Sequence, residues 1–198
     1  MDMNDFSTLN IRDKIKVGKE GEAFLDHVYS GFSCPKNPDV ERFLCEQSIN
    51  FTKKNQSVTY LVNEKITFDL VGYFALTIKA ISVNANLFSN TMRRKIERVS
   101  EVNEHTGEYL VAAFLIAQLS KNFTDDINKR ITGAQLLELA IDKIRALQYM
   151  EGGTVVFLET QNVPQLLSFY ETNGFKQFAV RQSHTSDQHK LVQLLKVL

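Results

Sequence analysis

Cysteine is scarce in this chain. Cys34 and Cys45 are the two among 198 residues, and they form no C-x-x-C pair. That excludes a disulfide framework and makes a reducing cytoplasm the simplest expectation. Long apolar runs are also missing. The longest, Leu110–Ala117, falls well short of the ~18 residues that a membrane-spanning helix needs, so no membrane partner is expected. Neither sign of charge is in excess, since 23 basic and 23 acidic residues cancel. Nothing global therefore calls for nucleic acid or an anionic bilayer, although a local patch retains that capacity. The first residues, MDMNDFSTLNIRDK, are acidic and polar rather than basic then apolar, which is not the pattern of a signal peptide. His27, His105, His184 and His189 are scattered without metal-ligand spacing, so neither a zinc site nor a nucleophile triad is expected. Internal repeats, low-complexity tracts and domain linkers are absent too.

What is present reads as an ordinary globular chain, 43% hydrophobic and 23% charged. Its length suits a single domain over residues 1–198 with a substantial core. Ile11, Ile15 and Val17 suggest a first strand, and Ala23–Tyr29 a short helix. Gly31–Pro38 reads as a loop, with Asp39 as N-cap of a helix carrying Val40, Phe43, Leu44 and Phe51. Ser57–Asn63 alternates as a strand, with Val58, Tyr60 and Val62 on one face. Glu64-Lys65 then turns the chain into a long apolar strand, Phe68–Val83, giving an antiparallel hairpin. Asn90–Val99 is a short helix bearing Arg93, Arg94, Lys95 and Arg98, followed by an exposed loop at Asn103–Gly107. Tyr109–Leu119 is a buried strand, Lys121–Lys129 a polar loop, and Ile131–Met150 a helix with Leu136, Leu137, Leu139, Ala140, Ile144 and Leu147 on one face. The tail, Leu191–Leu198, is a last strand after a polar turn around Ser183–Gln188. Strands and helices in this order predict an α+β fold around one mixed sheet.

The most informative stretch is Gly152–Phe178, GGTVVFLETQNVPQLLSFYETNGFKQF. Val155–Leu158 is a short continuous apolar run, as in a strand buried on both faces. Asn162 and Pro164 supply an N-cap type residue and a proline for a helix start. Leu166, Leu167, Phe169 and Tyr170 mark its apolar side. Asn173-Gly174 ends the helix with residues suited to positive φ, and Phe175, Phe178 and Val180 begin another strand.

A short helix crossing between two strands and ending in Phe-Tyr-Glu-x-x-Gly-Phe closely resembles the C-terminal signature of the GNAT superfamily of N-acetyltransferases. The topology is similar from about Phe32 to the end. Gly31-Phe32-Ser33-Cys34 before Asp39–Leu44, the Val71–Leu76 strand and the basic helix resemble the bacterial group that includes toxin–antitoxin acetyltransferases. The resemblance implies a GNAT fold with helices flanking the sheet, acetyl-CoA as co-substrate, and acetyl transfer to a primary amine. It also implies that Tyr170 protonates the departing thiolate, a phenol with a pKa near ~10 holding its proton at neutral pH.

Further roles follow from the same resemblance. Leu119, Ser120 and Lys121 would pair with pantetheine, and the next helix start would take the pyrophosphate. The family pattern there is Gln or Arg, two residues, Gly, one residue, then Gly or Ala. Aligned on Leu136-Leu137 it falls on Asn128-Lys129-Arg130-Ile131-Thr132-Gly133, where only Gly133 matches. A second register, Arg130–Gln135, keeps the Arg and one Gly, followed by Ala134, but ends on Gln135 where the pattern has a small residue. Lys129 and Arg130 would neutralise phosphate charge, while Ile131 stands where a glycine is usual. Asn162 and Phe169 complete the implied cofactor contacts. Glu159, at the end of the signature strand, is the first candidate for a general base, and Glu108 the second.

The acceptor stays open among small amines, peptide amines and aminoacyl-tRNA, the last through Arg93, Arg94, Lys95 and Arg98. An antitoxin partner is implied if the chain is a toxin. The other class of reading is a GNAT-fold binding module with weak or no catalysis.

Overall fold

The computed structural model describes residues 3–182 and 190–198. In chain order it contains β1 (Phe6–Asn10), α1 (Ile11–Ile15), α2 (Lys19–Tyr29), α3 (Pro38–Arg42), α4 (Ser48–Lys53), β2 (Val58–Glu64), β3 (Leu70–Asn84), α5 (Asn90–Ile96), β4 (Val102–Asn103), β5 (Glu108–Lys121), α6 (Gly133–Glu151), β6 (Val155–Gln161), α7 (Pro164–Thr172), β7 (Lys176–Gln182) and β8 (Lys190–Val197). A π-helical turn, Phe43–Gln47, joins α3 to α4. The strands form one mixed, eight-stranded sheet in the order β1-β2-β3-β5-β6-β8-β7, with β4 beside β5. This is the α+β architecture expected from the strand and helix pattern.

By its internal contacts the chain divides into two units. The first holds the chain up to Thr77 with Ala117–Lys143; the second holds Ile78–Ile116 and the chain from Ile144 onward.

In the first unit β1, β2 and the start of β3 form an antiparallel meander, with Thr8 opposite Val62 and Leu61 opposite Tyr73. The core gathers Ile11, Leu25, Tyr29, Phe32, Leu44 and Tyr73. Burial pushes the Tyr29 phenol up to about 12, against the lowering effect of its hydrogen bond with Ser48. Two sequence readings are corrected here. Ile11 and Ile15 lie on a single helical turn rather than a strand, because Asn10 accepts a hydrogen bond from the Arg12 amide and caps it. The true first strand precedes them. Likewise Asn37, not Asp39, caps α3: its side chain accepts from the Asp39 amide, and Pro38 takes the first helical position. Along β2 the buried residues are Thr59, Leu61, Val62 and Glu64, with a bulge at Val62/Asn63.

In the second unit β5 runs parallel to β6, with Phe114 opposite Val156 and Ile116 opposite Leu158. β6 then pairs antiparallel with β8, and β8 with β7. Val155, Val156, Phe157 and Leu158 are all buried, as the unbroken apolar run predicts. Gly174 turns the chain out of α7 at φ +84°, and the Phe175 amide donates back to the Tyr170 carbonyl at 3.0 Å. The helix cap is Val163 with Pro164 next, without a side-chain cap bond, so Asn162 is not the N-cap. The turn expected around Ser183–Gln188, with His184 and His189, lies outside the described residues.

Candidate functional site

The first unit carries the residues assigned to phosphate and pantetheine. The end of β5 is set by Gly72 on β3, where an added Cβ would lie 2.7 Å from the Ser120 carbonyl oxygen and 3.3 Å from the Lys121 Cα. Only glycine permits that approach. Ser120 is buried, and its Oγ donates to the Lys121 carbonyl at 3.0 Å. Lys121 turns inward: its Nζ donates to the Asn128 carbonyl at 2.8 Å and the Ile131 carbonyl at 3.2 Å. It thus ties the strand end to the loop before α6. Burial, then the charge of Lys36, holds its pKa below the ordinary lysine value.

Asn122 fixes the same corner from beneath. It is 1% exposed. Its Nδ2 donates to the carbonyls of Gly31 and Leu70, both at 2.9 Å, and its Oδ1 accepts from the amides of Ser33 at 3.1 Å and Thr124 at 3.0 Å. A buried amide with every bond satisfied is a rigid joint.

At the start of α6, Thr132 and Gln135 form a reciprocal cap. The Gln135 amide donates to Thr132 Oγ1 at 3.1 Å, and the Thr132 amide to Gln135 Oε1 at 2.9 Å. The amides of Gly133 and Ala134 have no hydrogen-bond partner among the described residues. They stand at the positive end of a 19-residue helix, where two free donors and the dipole suit an anion. Ile131 is buried at 1% exposure, so its side chain anchors the loop rather than standing in the way of a ligand.

The two cations differ. Lys129 is exposed and pairs with exposed Asp126 at 2.8 Å, a contact of little strength. Arg130 is committed elsewhere: Nη1 lies 3.0 Å from Glu64 and 2.5 Å from Asp69. Hydrogen bonds to Asp69 and then Glu64 raise the Arg130 pKa, and the bond from Arg130 lowers that of Asp69. Its charge is spent on the β2–β3 turn.

The second unit carries Tyr170 and Glu159. Tyr170 is buried on α7, packed edge-on against Phe169 at 5.0 Å and Phe175 at 5.9 Å between ring centroids. Burial alone pushes its phenol up to about 12. Asn162 is exposed, beyond the end of β6.

Glu159 is held by Arg181, whose Nε donates to Oε1 at 2.6 Å and whose Nη2 donates to Oε2; Gln193 Nε2 adds a bond to Oε1 at 2.7 Å. Burial favours the protonated acid, but these bonds and the charges of Arg181 and Lys79 outweigh it and lower the pKa. The carboxylate borders a recess of about 210 Å³ whose lining includes Lys79, Ser82, Phe157, Phe178 and Arg181. Glu108 accepts from Ser82 Oγ at 2.6 Å and is not in that lining.

On α5, Arg93 donates to the Ala85 carbonyl at 3.0 Å and to Asn86, and Lys95 to the Leu198 carbonyl at 3.1 Å. Arg94 and Arg98 are exposed and make no ion pair among the described residues. No group of metal-binding side chains occurs among the described residues, and no described helix is long and apolar enough to cross a membrane.

No protein-family model matches the chain, and no curated protein matches it. Solved structures do. A toxin described as AtaT complexed with acetyl-methionyl-tRNAfMet superposes with a TM-score of 0.64 at 14% identity, covering 95% of this chain and 94% of that one. The fold is that of the GNAT acetyltransferases. A mutant AtaT bound to the C-terminus of the antitoxin AtaR and acetyl-CoA gives 0.59 at 11% identity, over 98% of this chain and 93% of that one. The NatC complex bound to Gag peptide and CoA gives 0.50 at 16% identity, over 98% and 97%. At these identities the likeness is one of fold.

Lys121's hold on the loop, the Asn122 joint and the Arg181–Gln193 grip on Glu159 were not read from the sequence. The Thr132-x-x-Gln135 cap was legible there, as a capping-box spacing ahead of an apolar run.

Proposed function

We propose that the protein is an acetyl-CoA-dependent N-acetyltransferase acting on a primary amine. The observation that carries this reading is Tyr170: a buried phenol on the short helix between β6 and β7 of a GNAT fold. The residues present fit acetyl-CoA. Within the first unit the free amides of Gly133 and Ala134, with Lys129 nearby in sequence, suit the pyrophosphate, and Leu119–Lys121 suits the pantetheine. Acetyl-CoA supplies an activated acetyl thioester.

In the reaction the amine nitrogen bonds to the acetyl carbon, the carbon–sulfur bond breaks, and the electron pair leaves with sulfur. Tyr170 Oη donates its hydrogen toward that sulfur. With a pKa of about 12, the phenol is a weaker acid than a thiol of pKa ~8.5. Its contribution is therefore a hydrogen bond to developing negative charge, full proton transfer following only as solvent returns a proton. Glu159 serves the acceptor side as a fixed anion that orients the protonated amine. Arg181 lowers its proton affinity, so water carries the amine proton away more readily than the carboxylate keeps it.

A tRNA-linked amine is favoured as acceptor by one observation, the exposed Arg94 and Arg98 on α5, which suit phosphate. On that reading the chain is a toxin, and growth arrest on expression, relieved by a cognate antitoxin, is the outcome to expect. Calorimetric titration with acetyl-CoA tests the reading common to all acceptors. Saturable binding with a rise in melting temperature supports it; no heat at millimolar acetyl-CoA overturns it. Binding without acetyl transfer to any amine supports the alternative, a binding module.

A further inference from the structure

The turn between β2 and β3 departs from local rules. Its tip exposes two large apolar side chains, Ile66 at 83% and Phe68 at 77%. Phe68 also sits at φ +62°, the left-handed region that a bulky residue rarely occupies and that hairpin turns of this kind normally give to Gly or Asn. Nothing in the core rewards this choice, since the ring points to solvent.

The backbone beneath the tip is nonetheless held firmly. The Phe68 amide donates to the Glu64 carbonyl at 2.9 Å, the Glu64 amide to the Asp69 carbonyl at 3.1 Å, and Asn63 Nδ2 to the Phe68 carbonyl at 3.1 Å. Thr67 Oγ1 donates to Glu64 at 2.8 Å. Arg130 then grips Glu64 and Asp69 together. A strained, solvent-facing aromatic on a rigid mount is a feature whose explanation lies in something it touches.

Arg130 also fixes where the mount stands. It is three residues before Gly133, at most ~11 Å of extended chain, so the turn is tethered beside the free amides at the start of α6. A ligand with a phosphate on those amides has its next group within reach of the turn. An apolar, aromatic tip suits a flat π-system rather than another anion.

We infer that Phe68, with Ile66 beside it, is a stacking platform for the adenine ring of a nucleotide whose phosphates bind the α6 N-terminus. This rests on the acetyl-CoA reading and deepens it. It assigns the base to the β2–β3 turn and gives Arg130 the task of holding platform and phosphate site together.

The test is calorimetry on the full chain and its Phe68→Asn variant, with acetyl-CoA and adenosine 3′,5′-bisphosphate as probes and pyrophosphate as the base-free control. Asn removes the ring but tolerates positive φ, so the melting temperature should hold or rise. Loss of a stacked base should weaken both nucleotides about five- to thirtyfold and leave pyrophosphate unchanged. Undiminished nucleotide affinity in the variant overturns this inference alone, as does an equal loss for pyrophosphate. Self-association lost with Phe68 while nucleotide affinity stays would overturn it too, by making the tip a contact between copies. If the wild type binds no acetyl-CoA, the proposed function fails and this inference with it.

Discussion

Replacing Asn122 by Ala removes four hydrogen bonds from one buried point. The bond to the Leu70 carbonyl is wholly buried; those to Gly31, Ser33 and Thr124 are partly so. An orphaned buried carbonyl costs about 1–3 kcal/mol, and each partly buried bond is worth about 0.5–1.5 kcal/mol net. Water entering the vacated space recovers some of this, so the expected loss is about 3–4 kcal/mol. Urea unfolding should show a lower midpoint at unchanged m-value. Asn122→Asp refines the test. It keeps the two accepted bonds but faces the Gly31 and Leu70 carbonyls with an oxygen that cannot donate when ionised. Burial and those carbonyls raise its folded pKa above the unfolded ~3.9. Relative to wild type, this variant should therefore be most nearly restored below that value and should lose stability as pH rises through the folded pKa. A loss below 1 kcal/mol in the Ala variant, or an Asp variant whose deficit is independent of pH, would refute the reasoning.

Two further outcomes are expected. Arg130→Ala should lower the melting temperature, since it leaves the nearly buried Glu64 carboxylate without its cationic partner and with only the Thr67 hydroxyl, whereas Lys129→Ala should leave melting unchanged and weaken acetyl-CoA binding modestly; thermal shift with and without ligand separates the two. Arg181→Ala should destabilise most at neutral pH. The Glu159 pKa is lowered from 4.5 in the folded protein, so its contribution is present above the unfolded value and fades as pH falls through the folded one; a stability difference that is flat from pH 7 to pH 3 would contradict the clamp.

Much of the fold was legible because single residues announced it. The Val155–Leu158 run marked a strand covered on both faces, and Gly174 marked the end of α7, where the chain does turn at φ +84°. Where readings failed, a neighbouring polar residue overruled an apolar spacing. Asn10 made a helical turn of Ile11 and Ile15, and Asn37 moved a cap by two positions. The candidate site divides in the same way. Tyr170 and Gly133 stand in local motifs and could be named. That Arg130 is bound to Glu64 and Asp69, or Glu159 to Arg181 and Gln193, depends on pairings across 66, 61, 22 and 34 residues. Such distant partners leave no local pattern, and they decide which charges are free for a ligand.

The most direct test of the central claim is thiol release from acetyl-CoA, measured in single turnover with an accepted amine for the wild type and Tyr170→Phe. Phe keeps the ring contacts with Phe169 and Phe175 and loses only the donor, so acetyl-CoA affinity and melting temperature should stay the same. The rate should fall roughly ten- to a thousandfold, and the wild-type profile should show no fall from Tyr170 ionisation below about pH 10, because its phenol is raised to about 12. Equal rates in the two proteins, at a pH where the chemical step limits, would contradict the account.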